Sequence, residues 1–122
     1  MTLQRLQKQS LTQSQLLDEM TKVIVEVAAP EQVILFGSQA TGMAGPHSDY
    51  DFMVIVSEPF DEHRSRRNEA AKISWPLSAF GFPTDILMFS VEEVERWGKT
   101  LNHVVACALR EGKVLYARSS TC

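Results

Sequence analysis

Two aspartates, Asp49 and Asp51, lead into the apolar run 52–56, and this arrangement constrains the fold more than any other. Such a run is typical of a buried strand, and residues two apart in a strand point to the same face. Asp85 lies in a similar run, 83–89, although aspartate is disfavoured inside strands. Two unit negative charges about 4 Å apart repel by roughly 4 kcal/mol at an effective dielectric of ~20. Converging carboxylates therefore predict a divalent cation, and Mg²⁺ prefers carboxylate and phosphate oxygens.

Each acid also has a purely structural interpretation. Asp49 could be a turn residue that follows Ser48, and Asp85 could be an exposed acid on a strand edge. Neither interpretation explains why three acids would gather, so we favour the metal site.

A glycine and a serine follow another expected strand, at residues 33–36. Gly37 lacks a Cβ, so the backbone can turn sharply there and a ligand can approach it closely. Ser38 would then open a helical turn, whose free N–H groups and positive dipole end suit a phosphate. The alternative is an ordinary strand-to-helix turn with Ser38 as the N-cap. A phosphate cradle beside carboxylates is the pairing that metal-assisted transfer from a nucleoside triphosphate requires.

The composition indicates one small domain, residues 1–122, in which residues 1–10 are loosely held. The chain has 122 residues, 44% of them hydrophobic, which is enough for a single core. Its net charge of −3 argues against a nucleic-acid-binding role, since DNA-binding domains usually carry a basic stripe. No stretch resembles a membrane span or a signal peptide. The two cysteines have no metal-ligand spacing, so we expect a reducing, cytoplasmic setting.

Helical and strand patterns alternate along the chain. Apolar spacing predicts a helix over residues 12–28, strands ending at Phe36 and beginning at about Asp51, and a helix that begins at about Asp61. Gly81 is expected to cap that helix in a left-handed conformation. A last helical face, at residues 101–109, precedes an edge strand at 113–116. Ser90 and Glu93, three residues apart, match a capping box after the Asp85 strand.

The glycine-serine pair, the Ser48-Asp49-Tyr50-Asp51 segment and Asp85 together resemble the nucleotidyltransferase superfamily that includes DNA polymerase β. The likeness is greater to its minimal, single-domain prokaryotic members, and it covers most of the chain from about Val33 onward. It implies an α+β nucleotidyltransferase fold, with a small mixed β-sheet and helices packed against it.

The same resemblance implies the roles of the site residues. Asp49, Asp51 and Asp85 would be catalytic and would bind two Mg²⁺ ions, with Mn²⁺ as the alternative. Gly37 and Ser38 would bind the nucleotide, which is ATP or another NTP.

The resemblance also implies a partner. Minimal members of the superfamily are often paired with a small helical HEPN-type protein, as the antitoxin of a toxin–antitoxin system, and some modify a tyrosine of that partner with AMP. One alternative is transfer to a small molecule such as an aminoglycoside, in which a homo-oligomer builds the acceptor cleft. Another is a non-catalytic module that neutralises its partner by occlusion.

One departure from the superfamily concerns positive charge in the cradle. Many minimal members carry arginines where this chain has Gln39 and Thr41. The next helix offers substitutes, although a solvated helix face is the simpler interpretation of such a cluster. These cations are Arg64, Arg66, Arg67 and Lys72.

Overall fold

A computed structural model describes residues 12–37, 40, 49–98 and 104–118. Within these ranges the chain forms four α-helices, a short 3₁₀-helix and four strands. They are α1 Gln13–Ala28, β1 Gln32–Phe36, β2 Tyr50–Val56, α2 Arg66–Leu77, the 3₁₀-helix Ser78–Phe80, β3 Thr84–Ser90, α3 Val91–Trp97, α4 Val104–Glu111 and β4 Lys113–Ala117. The expectation that residues 1–10 are loosely held lies outside the described residues, and the single domain stays a prediction.

The four strands form one mixed sheet in the order β3-β2-β1-β4. Strand β1 pairs antiparallel with both β2 and β4, whereas β2 pairs parallel with β3. A parallel pair needs a crossover connection, and α2 supplies it. This mixed sheet with packed helices confirms the predicted α+β fold class.

The two faces of the sheet carry different helices. On one face, Phe52 and Val54 of β2 join a large core cluster with residues of α1 and α2. On the other face, Met53 and Ile55 join a smaller cluster that includes Ala108 of α4, with residues of α3 packed against it. Five consecutive residues of β2 are buried because both faces are covered.

Side chains and a left-handed residue cap the ends of α1 and α3. Thr12 and Gln15 form a capping box at the start of α1, so the helix itself begins one residue later than predicted. Ala29 then ends α1 with a left-handed backbone, at φ 46°. The capping box of Ser90 and Glu93 is confirmed at the start of α3.

Helix α2 begins later than predicted. The prediction placed its start at about Asp61, but Asp61 Oδ1 instead accepts hydrogen bonds from the backbone N–H groups of His63 (2.8 Å) and Arg64 (2.9 Å). This local turn competes with a helix, as aspartate side chains often do. Ser65 is the N-cap, and its side chain accepts a hydrogen bond from the backbone N–H of Asn68. The helix therefore begins at Arg66. At the other end, Gly81 is left-handed as predicted, with φ 82°, and it follows the 3₁₀-helix.

The last predicted helical face is partly wrong. Ala108 is buried, but Leu109 is 43% exposed, so it does not face the core. The predicted position Leu101 lies outside the described residues. Strand β4 is an edge strand of the sheet, as predicted. No helix in the described part of the chain combines the length and apolar character needed to cross a bilayer.

Candidate active site

Two of the three predicted acids are direct neighbours across the parallel strands. Asp51 of β2 and Asp85 of β3 are Cα partners in the sheet register. Parallel partners point to the same face, and adjacent strands lie about 4.8 Å apart. Phe52 and Ile86, the next residues of the two strands, belong to the large core cluster. Both carboxylates therefore point to the opposite face, where Asp85 is exposed and Asp51 is half-buried.

Gly37 brings the end of β1 against this pair. Phe36 is the register partner of Asp51, and Gly37 follows it with a left-handed backbone at φ 74°. A Cβ built on Gly37 would overlap Asp51 Oδ2. The backbone then turns, and Ala40 N–H donates to Gly37 O at 3.1 Å. Only glycine fits here, as the sequence predicted, because of both the conformation and the contact.

Asp49 lies just before β2 and is exposed. Its charge reaches Asp51, since both Asp49 and Asp85 contribute to the raised pKa of the Asp51 carboxyl. Partial burial is the largest cause of that rise, and the charge of Asp85 comes next. The negative charges of Asp85 and Asp49 therefore oppose that of Asp51 at this end of the sheet.

Tyr50 anchors the acidic segment from inside the protein. Its ring is buried and makes an edge-on contact with Phe82, with 5.7 Å between centroids and 81° between planes. Its backbone N–H donates to Pro83 O at 3.0 Å. Tyr50 thus holds the segment between Asp49 and Asp51 to the segment that precedes β3. This role was not predicted from the sequence, although an aromatic residue between two acids at a strand start was a usable signal.

The donor set suits a magnesium ion that is shared with a substrate. Across the described ranges, no three His, Cys, Asp or Glu side chains gather closely enough to hold a metal by themselves. Mg²⁺ seldom uses such an all-protein cage, because it usually takes one or two carboxylates together with substrate phosphates and waters. The in-register pair Asp51 and Asp85 offers that number of carboxylates, and Gly37 leaves the space beside them free of a side chain.

Four cations near α2 were candidates for binding a phosphate, and three of them instead contact other residues of the protein. Arg64 donates to Glu58 O at 3.1 Å, and Lys72 pairs with Glu69 at 3.0 Å. Arg66 donates to Met88 O at 2.7 Å and also forms a bidentate ion pair with Glu93. Only Arg67, among these four, makes no hydrogen bond or ion pair with the part of the chain that the structure describes. Ser38, Gln39 and Thr41 lie outside the described residues.

The ion pair of Arg66 and Glu93 links α2 to α3 beside β3. Its two N–O distances are 3.1 and 2.5 Å. Partial burial by itself would raise the pKa of Glu93, but hydrogen bonds from Arg66 and Ser90 outweigh it and the pKa is lowered. The capping role of Glu93 was predicted from the sequence, but this ion pair was not.

Comparison with known proteins identifies the family. A sequence model described as "Nucleotidyltransferase domain" matches residues 16–107, which include all three acids and the glycine. The chain belongs to this family of nucleotidyltransferase domains. The resemblance stated from the motifs is therefore confirmed.

A curated relative is similar in sequence to this nucleotidyltransferase domain over part of its length. The protein adenylyltransferase MntA of Aphanizomenon flos-aquae (strain 2012/KM1/D3) is 30% identical over 103 residues. The match covers 78% of this chain and 62% of the relative. The chain thus spans less than two thirds of the relative's length.

Solved structures share the fold of this nucleotidyltransferase domain. A toxin–antitoxin crystal structure with AMP-PNP matches 85% of this chain and 76% of that chain, at a TM-score of 0.55 and 20% identity. An MNT antitoxin in complex with a tri-AMPylated HEPN toxin of Shewanella oneidensis matches 87% and 73%, at a TM-score of 0.55 and 18% identity. These likenesses show the nucleotidyltransferase fold.

Proposed function

We propose that this chain is a magnesium-dependent adenylyltransferase that moves AMP from ATP to a hydroxyl of a partner protein. The partner would be a small helical HEPN-type toxin, and the chain its antitoxin. Two comparisons support the proposal. The curated relative is named a protein adenylyltransferase, and one structural neighbour is a complex with an AMPylated HEPN toxin.

The observation that carries the proposal is the register of Asp51 and Asp85 beside Gly37. Carboxylates placed as partners on parallel strands, with a side-chain-free backbone against one of them, suit phosphates and a divalent ion. A module that only occluded its partner would gain nothing from such crowded acids. The raised pKa of Asp51 reflects burial and that crowding.

Asp49, Asp51 and Asp85 would hold the metal, as two Mg²⁺ ions with Mn²⁺ as the alternative. When bound, the metal would neutralise the acids and the charge that develops on the phosphates. Gly37 and Ser38 would lie against the β- and γ-phosphates, where a close backbone approach is needed.

The transfer itself is a substitution at the α-phosphorus of ATP. The acceptor hydroxyl oxygen forms a bond to the α-phosphorus, and the bond from that phosphorus to the oxygen bridging to the β-phosphate breaks. Pyrophosphate leaves, and Asp85 accepts the hydroxyl proton. The contribution of the chain is mostly positioning and charge complementarity, as in other phosphoryl-type transfers.

A cytoplasmic setting belongs to the same proposal. ATP is available there, and Cys107 is a free thiol in the structure, which suits a reducing compartment. A homo-oligomer is not needed if the partner protein provides the acceptor.

The test is label transfer to a HEPN-type protein, sought first among the products of the genes that neighbour this one. We expect label from ATP carrying ³²P at the α-phosphate to appear on the partner when Mg²⁺ is present, and label at the γ-phosphate not to appear. Asp51→Asn and Asp85→Asn should each lose about 100-fold or more of the rate, because charge stabilisation at a transferring group is worth that much. Asp18→Asn, an exposed acid on α1, is the matched control and should keep the wild-type rate.

Other outcomes would decide against the proposal. Label on an aminoglycoside, and none on the partner, would favour transfer to a small molecule. Tight partner binding without transfer under any condition would favour occlusion.

A further inference from the structure

A groove of about 650 Å³ lies between β3 and α2. Asp85 lies at one end of its strand wall, and Arg66, Arg67 and Ala70 of α2 form the opposite wall. In the sheet of the described residues, β3 pairs with β2 on one side and is an edge strand. The groove therefore joins one of the proposed catalytic acids to an exposed sheet edge.

The backbone of β3 presents hydrogen-bonding groups to this groove. Pro83 O accepts from Tyr50 N–H, so residue 83 points its backbone groups toward β2. Because these directions alternate along a strand, Thr84, Ile86 and Met88 point theirs away from β2. The hydrogen bond from Arg66 to Met88 O agrees with this assignment.

An edge of this kind recognises an extended polypeptide. Unpaired strand N–H and C=O groups form a template for another strand, which main-chain hydrogen bonds then hold. Arg66 already occupies the Met88 end, so the free edge lies around Thr84 and Ile86. At about 3.3 Å per residue it can hold about four residues of a bound strand.

The geometry of the transfer places the acceptor on this side. The order across the site is Gly37, Asp51 and Asp85, because β1, β2 and β3 are successive neighbours. If the departing phosphates lie at Gly37, in-line substitution requires the attacking hydroxyl to approach from the opposite side. That side is the one of Asp85 and the β3 groove.

Arg67 gives the groove a charge preference. It is exposed, and it makes no ion pair or hydrogen bond within the described ranges, unlike Arg66 beside it. An acidic residue in the bound segment would complement it.

We infer that the acceptor enters as an extended polypeptide segment that pairs with the β3 edge and places its hydroxyl beside Asp85. An acidic residue of that segment contacts Arg67. This inference rests on the proposed function, and it specifies how that function selects its substrate.

Docking is tested apart from transfer. The ¹⁵N-labelled full chain is titrated with a short synthetic peptide of alternating glutamate and β-branched residues around one tyrosine. We expect the amide resonances of Thr84 and Ile86 to shift and their hydrogen exchange to slow. Arg67→Glu should weaken binding by about fivefold, near the upper range for an exposed charge pair. Lys113→Glu, another exposed cation but on the far edge strand β4, should leave it unchanged.

The outcomes separate this inference from the proposed function. Shifts confined to other surfaces, no binding, or equal effects of the two charge reversals would overturn the docking site. Resonance shifts that depend on the protein concentration, and not on the peptide, would show that a second copy of the chain binds the β3 edge. That result would also overturn the docking site. A third outcome is that the peptide still binds Asp51→Asn while the wild-type chain transfers label to no protein. That outcome would contradict the proposed function but support the docking site.

Discussion

The carboxylate of Asp51 occupies the space in which a side chain at Gly37 would lie. The two residues come from adjacent antiparallel strands, and their contact fixes where the backbone turns relative to the acids. The turn carries no side chain, so it leaves the room beside this carboxylate that the proposed phosphate would need.

Gly37→Ala should therefore harm both stability and nucleotide binding. The left-handed conformation alone costs an alanine about 1–2 kcal/mol, and the overlap with Asp51 adds to it. Urea unfolding would measure the loss, and calorimetry the binding of ATP with Mg²⁺. The matched control is Gly81→Ala, which has a similar φ of 82° but lies after the 3₁₀-helix. Equal losses of stability in the two variants would contradict a specific contact with Asp51.

Asp51→Asn should make the metal-free protein more stable at neutral pH. The pKa of Asp51 is raised by burial and then by the charges of Asp85 and Asp49, so its ionised form is disfavoured in the fold. The gain in free energy of unfolding should stay below about 1 kcal/mol, because Asp51 is partly exposed and water screens its charge. Thermal unfolding with a chelator present would measure it. A loss of stability would mean that the carboxylate has a favourable partner.

With magnesium and nucleotide bound, the wild-type chain should become more stable than Asp51→Asn. A ligand that binds only the folded state raises the melting temperature, and 100-fold excess over its dissociation constant adds about 2.7 kcal/mol. We expect Mg²⁺ with a non-hydrolysable ATP analogue to stabilise the wild-type chain but hardly to stabilise Asp85→Asn or Asp51→Asn. Differential scanning calorimetry would record the shifts. An unchanged melting temperature of the wild-type chain would contradict the metal site.

Glu93→Gln should destabilise the protein in a pH-dependent way. The folded-state pKa of Glu93 lies below its ordinary value of 4.5, so its contribution is present above pH 4.5 and is lost as the pH falls through the lowered value. At pH 7 we expect a loss of about 0.5–1 kcal/mol, which should shrink on acidification. Glutamine can still cap α3, so the change isolates the charge.

The control for this ion pair is Glu92→Gln. Glu92 pairs with Arg96 four residues on, and its side chain is 71% exposed. Exposed pairs of this kind contribute little, so the variant should unfold like the wild type at every pH. A pH dependence equal to that of Glu93→Gln would show that net charge, and not the contact with Arg66, is the cause.

Local chemistry made much of this fold predictable. The strand around Asp85, the capping box of Ser90 and Glu93, and the left-handed Gly81 each follow from a few neighbouring residues. The start of α2 was wrong because the side chain of Asp61 binds the backbone N–H groups of the next residues, and this local turn displaces the helix start to Arg66.

Long-range pairing limited what could be predicted of the site. The spacing of Asp49 and Asp51 indicated a shared face, but the sequence alone did not indicate that β2 and β3 run parallel. Nor did it indicate that Arg66 would be engaged by Met88 and Glu93, since these partners are distant along the chain. The role of Ser38 stays a prediction.

The parallel register of β2 and β3 also restricts how these strands can pair when the sheet assembles. A slip of one residue would turn Asp85 inward, toward the apolar layer beneath α1 and α2, and would leave a neighbouring isoleucine in water. Burying an unpaired carboxylate is so unfavourable that misaligned strands would separate again. Asp85, for which we propose a catalytic role, would thus also disfavour misaligned strand pairing during folding, before any nucleotide binds.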